Sequence, residues 1–177
     1  MSELGPRAKR LDLSLLRVMR TRWHERWLER FAILLSKAGE NAYVWFGIGV
    51  IGALVDPDRR WQWVVMAFAG PVAIVVNFGI KLIFRRPRPV LEGLPPLGGA
   101  PSSLSFPSAH ATASFTAATL ATRISPDLAP LVFGLATLMA LSRPYLGMHY
   151  PSDVLAGAAL GGAFGLLIPL PDPTGAG

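Results

Sequence analysis

Residues 62–84 read QWVVMAFAGPVAIVVNFGIKLIF, a stretch broken by a single charge, Lys81, near its end. About 20 apolar residues in an α-helix cross the hydrocarbon core of a bilayer, so this run is read as a spanning helix. Comparable runs flank it at 41–55, 108–124, 128–146 and 153–170. The first is short unless it recruits 31–40, which carries Lys37 and Glu40, and 108–124 is rich in Ala, Thr and Ser. Small residues of that kind let helix backbones approach closely inside a bundle. The same reading covers GAALGGAFG at 157–165, where Gly157, Gly161 and Gly165 make two overlapping GxxxG steps. The 177 residues are 51% hydrophobic and 16% charged, with a mean hydropathy of +0.41, values far from those of an ordinary soluble domain. The expected fold is all-α: an integral-membrane helical bundle of about five spanning helices at 41–170, preceded by an N-terminal amphipathic interfacial helix within 1–38. Together they form a single domain, 1–177.

Charge is concentrated ahead of the bundle. Arg7, Lys9, Arg10, Arg17, Arg20, Arg22, Arg26 and Arg30 all precede the first long apolar run, as expected of a juxtamembrane segment facing anionic lipid. Residues 11–38 mix Leu, Trp and Phe with Arg and Glu at helical spacing, the pattern of a helix lying in the interface rather than spanning it. Nucleic acid is not the expected partner, because the arginines lead into apolar segments and no DNA-binding motif follows. The N-terminus is not read as a signal peptide, since its charged stretch is too long. With no cysteine in the chain, thiolate metal sites and cysteine nucleophiles are excluded.

Two connections carry the polar chemistry. Residues 85–107, RRPRPVLEGLPPLGGAPSSLSFP, form a long Pro/Gly/Ser-rich loop, and LSRPYLGMHYPSD at 141–153 sets Arg, His and Asp between two apolar runs. The links at 56–61 and 124–127 are short and belong to the opposite side. If the helices alternate, Lys81 to Arg88, Ser108 to His110, and Arg143 to Asp153 share one face. Three cations, two histidines and a carboxylate suit a phosphate group, because guanidinium and ammonium groups neutralise phosphoryl oxygens. Pro107 suits the first turn of a helix, whose free amides would face the same ligand. Asp153, four residues after His149, is placed to orient one ring nitrogen and leave the other as nucleophile. His110 has no such carboxylate and is the candidate acid for the leaving oxygen.

Blander readings stand beside these. Arg85 and Arg86 read either as snorkelling side chains or as contacts to a substrate headgroup. Ser142 reads as support for Arg143 or for the helix backbone, and Asp153 alone as a helix N-terminal acid. His24, Tyr43, Trp61 and Trp63 read as parts of the membrane interface.

The blocks K-x6-R-P (Lys81 to Arg88-Pro89), P-S-x-H (Pro107-Ser108-Ala109-His110) and S-R-x5-H-x3-D (Ser142-Arg143 to His149 and Asp153) resemble the signature of the type 2 phosphatidic acid phosphatase (PAP2) superfamily. These are integral-membrane lipid phosphatases whose pocket is shared with vanadium haloperoxidases. Ala109 departs from the family's usual glycine while keeping the backbone amide. The resemblance implies that Lys81, Arg88 and Arg143 hold phosphate oxygens with Ser108 and the Ala109 amide. It also implies that His149 forms a phosphohistidine, that Asp153 fixes its imidazole, and that His110 protonates the leaving group. Neither a metal nor a cofactor is implied.

The short form and the LSFPSAHAT stretch are similar to actinobacterial enzymes that dephosphorylate decaprenylphosphoryl-5-phosphoribose. Undecaprenyl diphosphate, phosphatidylglycerophosphate and phosphatidic acid stay open as substrates. So do two other classes: a non-catalytic lipid-phosphate binding or transport protein, and a phosphotransferase using an acceptor other than water. Eight basic residues up to Arg30, against Arg59, Arg60 and Arg123 on the other side, predict a bacterial cell-membrane protein whose site faces the cytoplasm.

Overall fold

Alanine, serine and threonine dominate Ala109–Ile124, and that composition puts the helix at the centre of the bundle. The computed structural model describes residues 6–22, 25–98 and 102–173. In chain order its helices are α1 Pro6–Thr21, α2 Arg26–Ala38, α3 Tyr43–Val55, α4 Arg60–Phe84, α5 Ala109–Ile124, α6 Ala129–Tyr145 and α7 Pro151–Leu167. Every expected apolar run is a helix. α5 is buried almost throughout, with α4, α6 and α7 packed around it. Trp45, Met66, Leu120 and Met139 fill the core between α3, α4, α5 and α6, and the Trp45 indole donates to Ser114 Oγ at 3.0 Å.

The glycine steps act as packing surfaces. A Cβ on Gly161 would stand 2.2 Å from Thr112 O, one on Gly157 2.5 Å from Ser108 O, and one on Gly165 2.5 Å from Thr119 Cβ. α7 therefore lies directly on the backbone of α5. Gly49 meets Ala67 and Gly52 meets the Trp63 ring in the same way between α3 and α4.

Among the described residues, 57–84 and 126–145 are each long and apolar enough to cross a membrane. α2 and α3 together make a third such stretch, bent by 56°, while α5 and α7 have 16 and 17 residues. Two single spans, or three with the bent pair, thus stand against the expected five. At the bend, Asn41 and Ala42 have φ of 51° and 61°, left-handed geometry that stops the helix.

The N-terminal expectation is corrected in form. Residues 11–38 are two helices, not one, and α2 continues through the bend into the bundle. α1 has two faces: Asp12, Leu16 and Arg20 are buried, while Leu11, Leu15 and Val18 are exposed. Tyr43 and Trp61 are exposed as interface anchors would be, whereas Trp63 is buried and donates to Asp56 Oδ2 at 3.1 Å; a ring packed on Gly52 cannot be an anchor. His24 lies outside the described residues. At the end of the bundle remote from the motifs, Arg59 donates to Ile124 O and Arg123 to Gly165 O and Ile168 O, satisfying carbonyls that helix ends leave free.

Candidate active site

The three blocks meet at one end of the bundle because α5 and α7 start side by side there: the Ser108 amide donates to Asp153 O at 3.0 Å. Pro151 opens α7, whose third residue is Asp153. Its carboxylate, wholly buried, accepts the Tyr150 amide at 3.0 Å on Oδ2, closing a capping box. The same Oδ2 is 3.5 Å from His149 Nδ1. The carboxylate that caps α7 therefore also stands beside His149, whose buried Nδ1 makes no hydrogen bond among the described residues.

His149 is buried on the 146–150 turn with its other nitrogen, Nε2, 3.3 Å from Arg88 Nη1. Burial, then the Arg88, Arg143 and Lys81 cations, hold its pKa well below the usual histidine range, so the imidazole is neutral at physiological pH. Arg88 is aimed by the loop and by the turn: Nε donates to Ser102 O at 2.7 Å and Nη1 to Met148 O at 2.6 Å. Lys81, at the end of α4, donates to Leu104 O and Ser105 O at 3.2 and 3.3 Å. The long loop thus folds back over the site, pinned by a Pro87 to Leu104 bridge and by Leu97 N to Leu146 O at 3.0 Å.

His110 and Arg143 form the second half of the site. Both touch Ser36 of α2: His110 Nε2 donates to its carbonyl at 2.9 Å, and Arg143 Nη1 donates to its hydroxyl. They line a cavity of about 400 Å³ with Ala109, Ile33, Lys37 and Met148. Ser108 caps α5, and its buried hydroxyl has no partner among the described residues, as suits a group that serves a ligand. The first intrahelical bond of α5 is Thr112 N to Ser108 O, so the amides of residues 109–111 have no acceptor within the helix. Pro107 precedes that cap and does not enter the first turn; Ser108 takes the cap position instead. Among the described residues no group of three or more His, Asp or Glu side chains is placed to hold a metal ion.

Some contacts escape sequence reasoning. Arg86 is neither a snorkelling side chain nor a free headgroup contact: it bonds Asp153 Oδ1 at 2.7 Å and Asp12 Oδ2 at 2.8 Å. Arg85 is exposed at the end of α4 and bonds its own helix at Leu82 O. Ser142 bonds Met139 O, the backbone reading. Asn77, fully buried one turn before Lys81, donates to Thr112 Oγ1 at 2.9 Å; a polar residue inside an apolar run was its available signal. Ser36 and Asp12 gave none.

A family model described as the PAP2 superfamily matches residues 61–171. The chain is 42% identical over 134 residues to the decaprenylphosphoryl-5-phosphoribose phosphatase of Mycobacterium tuberculosis, across 76% of this chain and 75% of that one. It is 31% identical over 138 residues to the undecaprenyl-diphosphatase of Sulfolobus acidocaldarius, across 76% and 66% of the two chains. The transmembrane PAP2 type phosphatidylglycerolphosphate phosphatase of Bacillus subtilis shares the fold, with a TM-score of 0.76 over 92% of this chain and 85% of that one at 24% identity. Motif order, helical architecture and family match agree, and the chain belongs to the PAP2 superfamily.

Proposed function

We propose that this chain is a membrane phosphatase that hydrolyses a lipid-linked phosphate through a phosphohistidine on His149. The observation that carries the proposal is the alignment Asp153 Oδ2, His149, Arg88, with spacings of 3.5 Å and 3.3 Å on the two sides of one buried, neutral imidazole. A proton on Nδ1, facing Asp153, leaves the Nε2 lone pair beside the guanidinium that would hold the phosphate. Attack forms the N–P bond and breaks the P–O bond of the ester. His110, whose Nε2–H is held by Ser36 O, serves as the acid in its imidazolium form: its Nδ1–H passes to the departing oxygen and leaves a neutral imidazole with a free Nδ1 lone pair. Water then adds to phosphorus as His110 Nδ1 takes its proton back from it, the N–P bond breaks, and inorganic phosphate leaves with His149 and His110 both restored. Lys81, Arg88, Arg143, the Ser108 hydroxyl and the Ala109 amide stabilise the charge on the phosphoryl oxygens. No step requires a metal or a cofactor.

Identity to the mycobacterial relative favours a polyprenyl-phosphoryl pentose phosphate as substrate. A polyprenyl diphosphate is the second reading, favoured by the archaeal relative. The site is assigned to the cytoplasmic side of a bacterial membrane, among whose lipids the substrate resides.

The test is release of inorganic phosphate in detergent from polyprenyl-phosphoryl pentose phosphate, polyprenyl diphosphate, phosphatidylglycerophosphate and phosphatidic acid, with and without a chelator. Release that is insensitive to chelator and lost by at least about 10³-fold in His149→Ala is expected. Silence on every substrate would favour a lipid-binding or transport role, and loss with chelator alone would overturn the metal-free mechanism. Transfer to added alcohols in place of water would make the protein a phosphotransferase.

A further inference from the structure

We infer that Asp12 and Arg86 are positioning residues for the reaction, and that through them the N-terminal helix sets the His149–Asp153 pair. The inference rests on the phosphatase reading above and concerns Asp12, outside its three motif blocks, and Arg86, at an unspecified position within the first. Arg86 sits between two carboxylates 141 positions apart in sequence. Its Nη1 donates to Asp153 Oδ1 and to Ser152 Oγ, both at 2.7 Å, and its Nη2 donates to Asp12 Oδ2 at 2.8 Å. The guanidinium lies 3.9 Å over the Tyr150 ring, a stacking that fixes its plane. Asp12, 4% exposed, completes the clasp by accepting the Ser152 amide at 3.0 Å on Oδ1 and the Ser152 hydroxyl on Oδ2.

The chemistry explains why two acids are needed around one arginine. Asp153 faces His149 through Oδ2 and spends Oδ1 on Arg86, so a single guanidinium both fixes the carboxylate plane and supplies the charge its burial requires. An arginine with no second partner would direct its whole charge at Asp153 and weaken the carboxylate's hold on the imidazole proton. Asp12 shares that charge and anchors the start of α7 at the same time. Asp12 faces inward because α1 is amphipathic, with Leu11, Leu15 and Val18 outside. Charged and titratable groups around the pair come from α1 (Asp12), α4 (Lys81), the long loop (Arg86, Arg88), α5 (His110), α6 (Arg143) and the 146–150 turn (Tyr150).

The experiment uses the full chain in detergent with Arg86→Gln, Arg86→Lys, Asp12→Asn and the double variant Asp12→Asn/Arg86→Gln. The probe is a short-chain polyprenyl-phosphoryl ribose 5-phosphate. Because the pair acts by holding a nucleophile in line, kcat should fall about 10- to 100-fold in Arg86→Gln with KM nearly unchanged. The acid limb of the kcat profile should move, Arg86→Lys should recover part of the rate, and the double variant should be no worse than Arg86→Gln alone. The second readout is the ¹⁵N shift of the His149 imidazole, expected to report Nδ1–H in the wild type and a mixed tautomer in Arg86→Gln and Asp12→Asn. Unchanged kcat and pH profile with an unchanged imidazole spectrum would overturn the inference, as would a loss confined to KM, the mark of a headgroup contact. If the wild type releases no phosphate, the phosphatase reading fails, and the tautomer measurement still decides the role of the clasp. A variant that elutes or melts as unfolded is replaced in the comparison by Arg86→Lys, whose tautomer shift then decides.

Discussion

Ser36 holds two groups of the site with two different atoms, its carbonyl on His110 and its hydroxyl on Arg143. Ser36→Ala removes the second contact alone. Arg143 Nε already lacks a partner among the described residues, and taking a further acceptor from a buried cation costs about 1–3 kcal/mol. We expect kcat/KM to fall roughly tenfold or more on that scale, chiefly through KM, while the pH profile set by the histidines is retained. Steady-state kinetics at several pH values checks both. His149 itself should show its environment: with its pKa lowered by burial and three cations, it stays deprotonated on the acid side of 6.5, the ordinary histidine value. Activity assigned to neutral His149 should therefore persist below pH 6.5 and decline only when the proton finally binds; an acid limb at or above 6.5 would contradict the assignment. The motif residues were legible because their chemistry is unusual beside apolar helices. Ser36, Asp12 and Arg86 were not, because their partners lie 66 to 140 residues away along the chain, and side-chain type alone does not announce such a contact.

At the scale of the element, two adjacent glycines on α7 give a controlled comparison. A methyl on Gly161 would meet Thr112 O at 2.2 Å, while one on Gly162 would meet nothing within 4 Å. Gly161→Ala should destabilise the protein by about 1–3 kcal/mol through overpacking. Gly162→Ala should be neutral or stabilising by up to about 1 kcal/mol, since alanine favours helix. Thermal unfolding in one detergent, read for both variants, tests the pair. The packing role of this stripe was legible in its spacing, and the apolar runs located α3 to α7 within a few residues. The break after Thr21 and the bend before Tyr43 were not legible. Ala42 adopts a left-handed conformation that its type does not favour, and the amphipathic pattern passes through Arg22 without a break in periodicity.

For the whole molecule, the question is orientation. Eight basic residues precede residue 31 and only Arg59, Arg60 and Arg123 occupy the opposite links, so the charge rule predicts that the motif end lies inside. A tag at position 92 should be labelled only after permeabilisation and one at position 58 in intact cells; the reverse pattern would move the substrate to the outer leaflet. The contact of α7 on α5 has a consequence for motion as well. α5, whose Ala109 and His110 line the cavity, touches α7 backbone to backbone, so neither helix can swing away without the other and the α5 side of the cavity behaves as a single plate. Breathing falls to the other wall, where α2 contributes Ile33, Ser36 and Lys37 to the cavity. Amide exchange should sort accordingly, slowest in α5 and fastest at the bend around residues 39–42, and the lipid tail of the proposed substrate would enter on the α2 side.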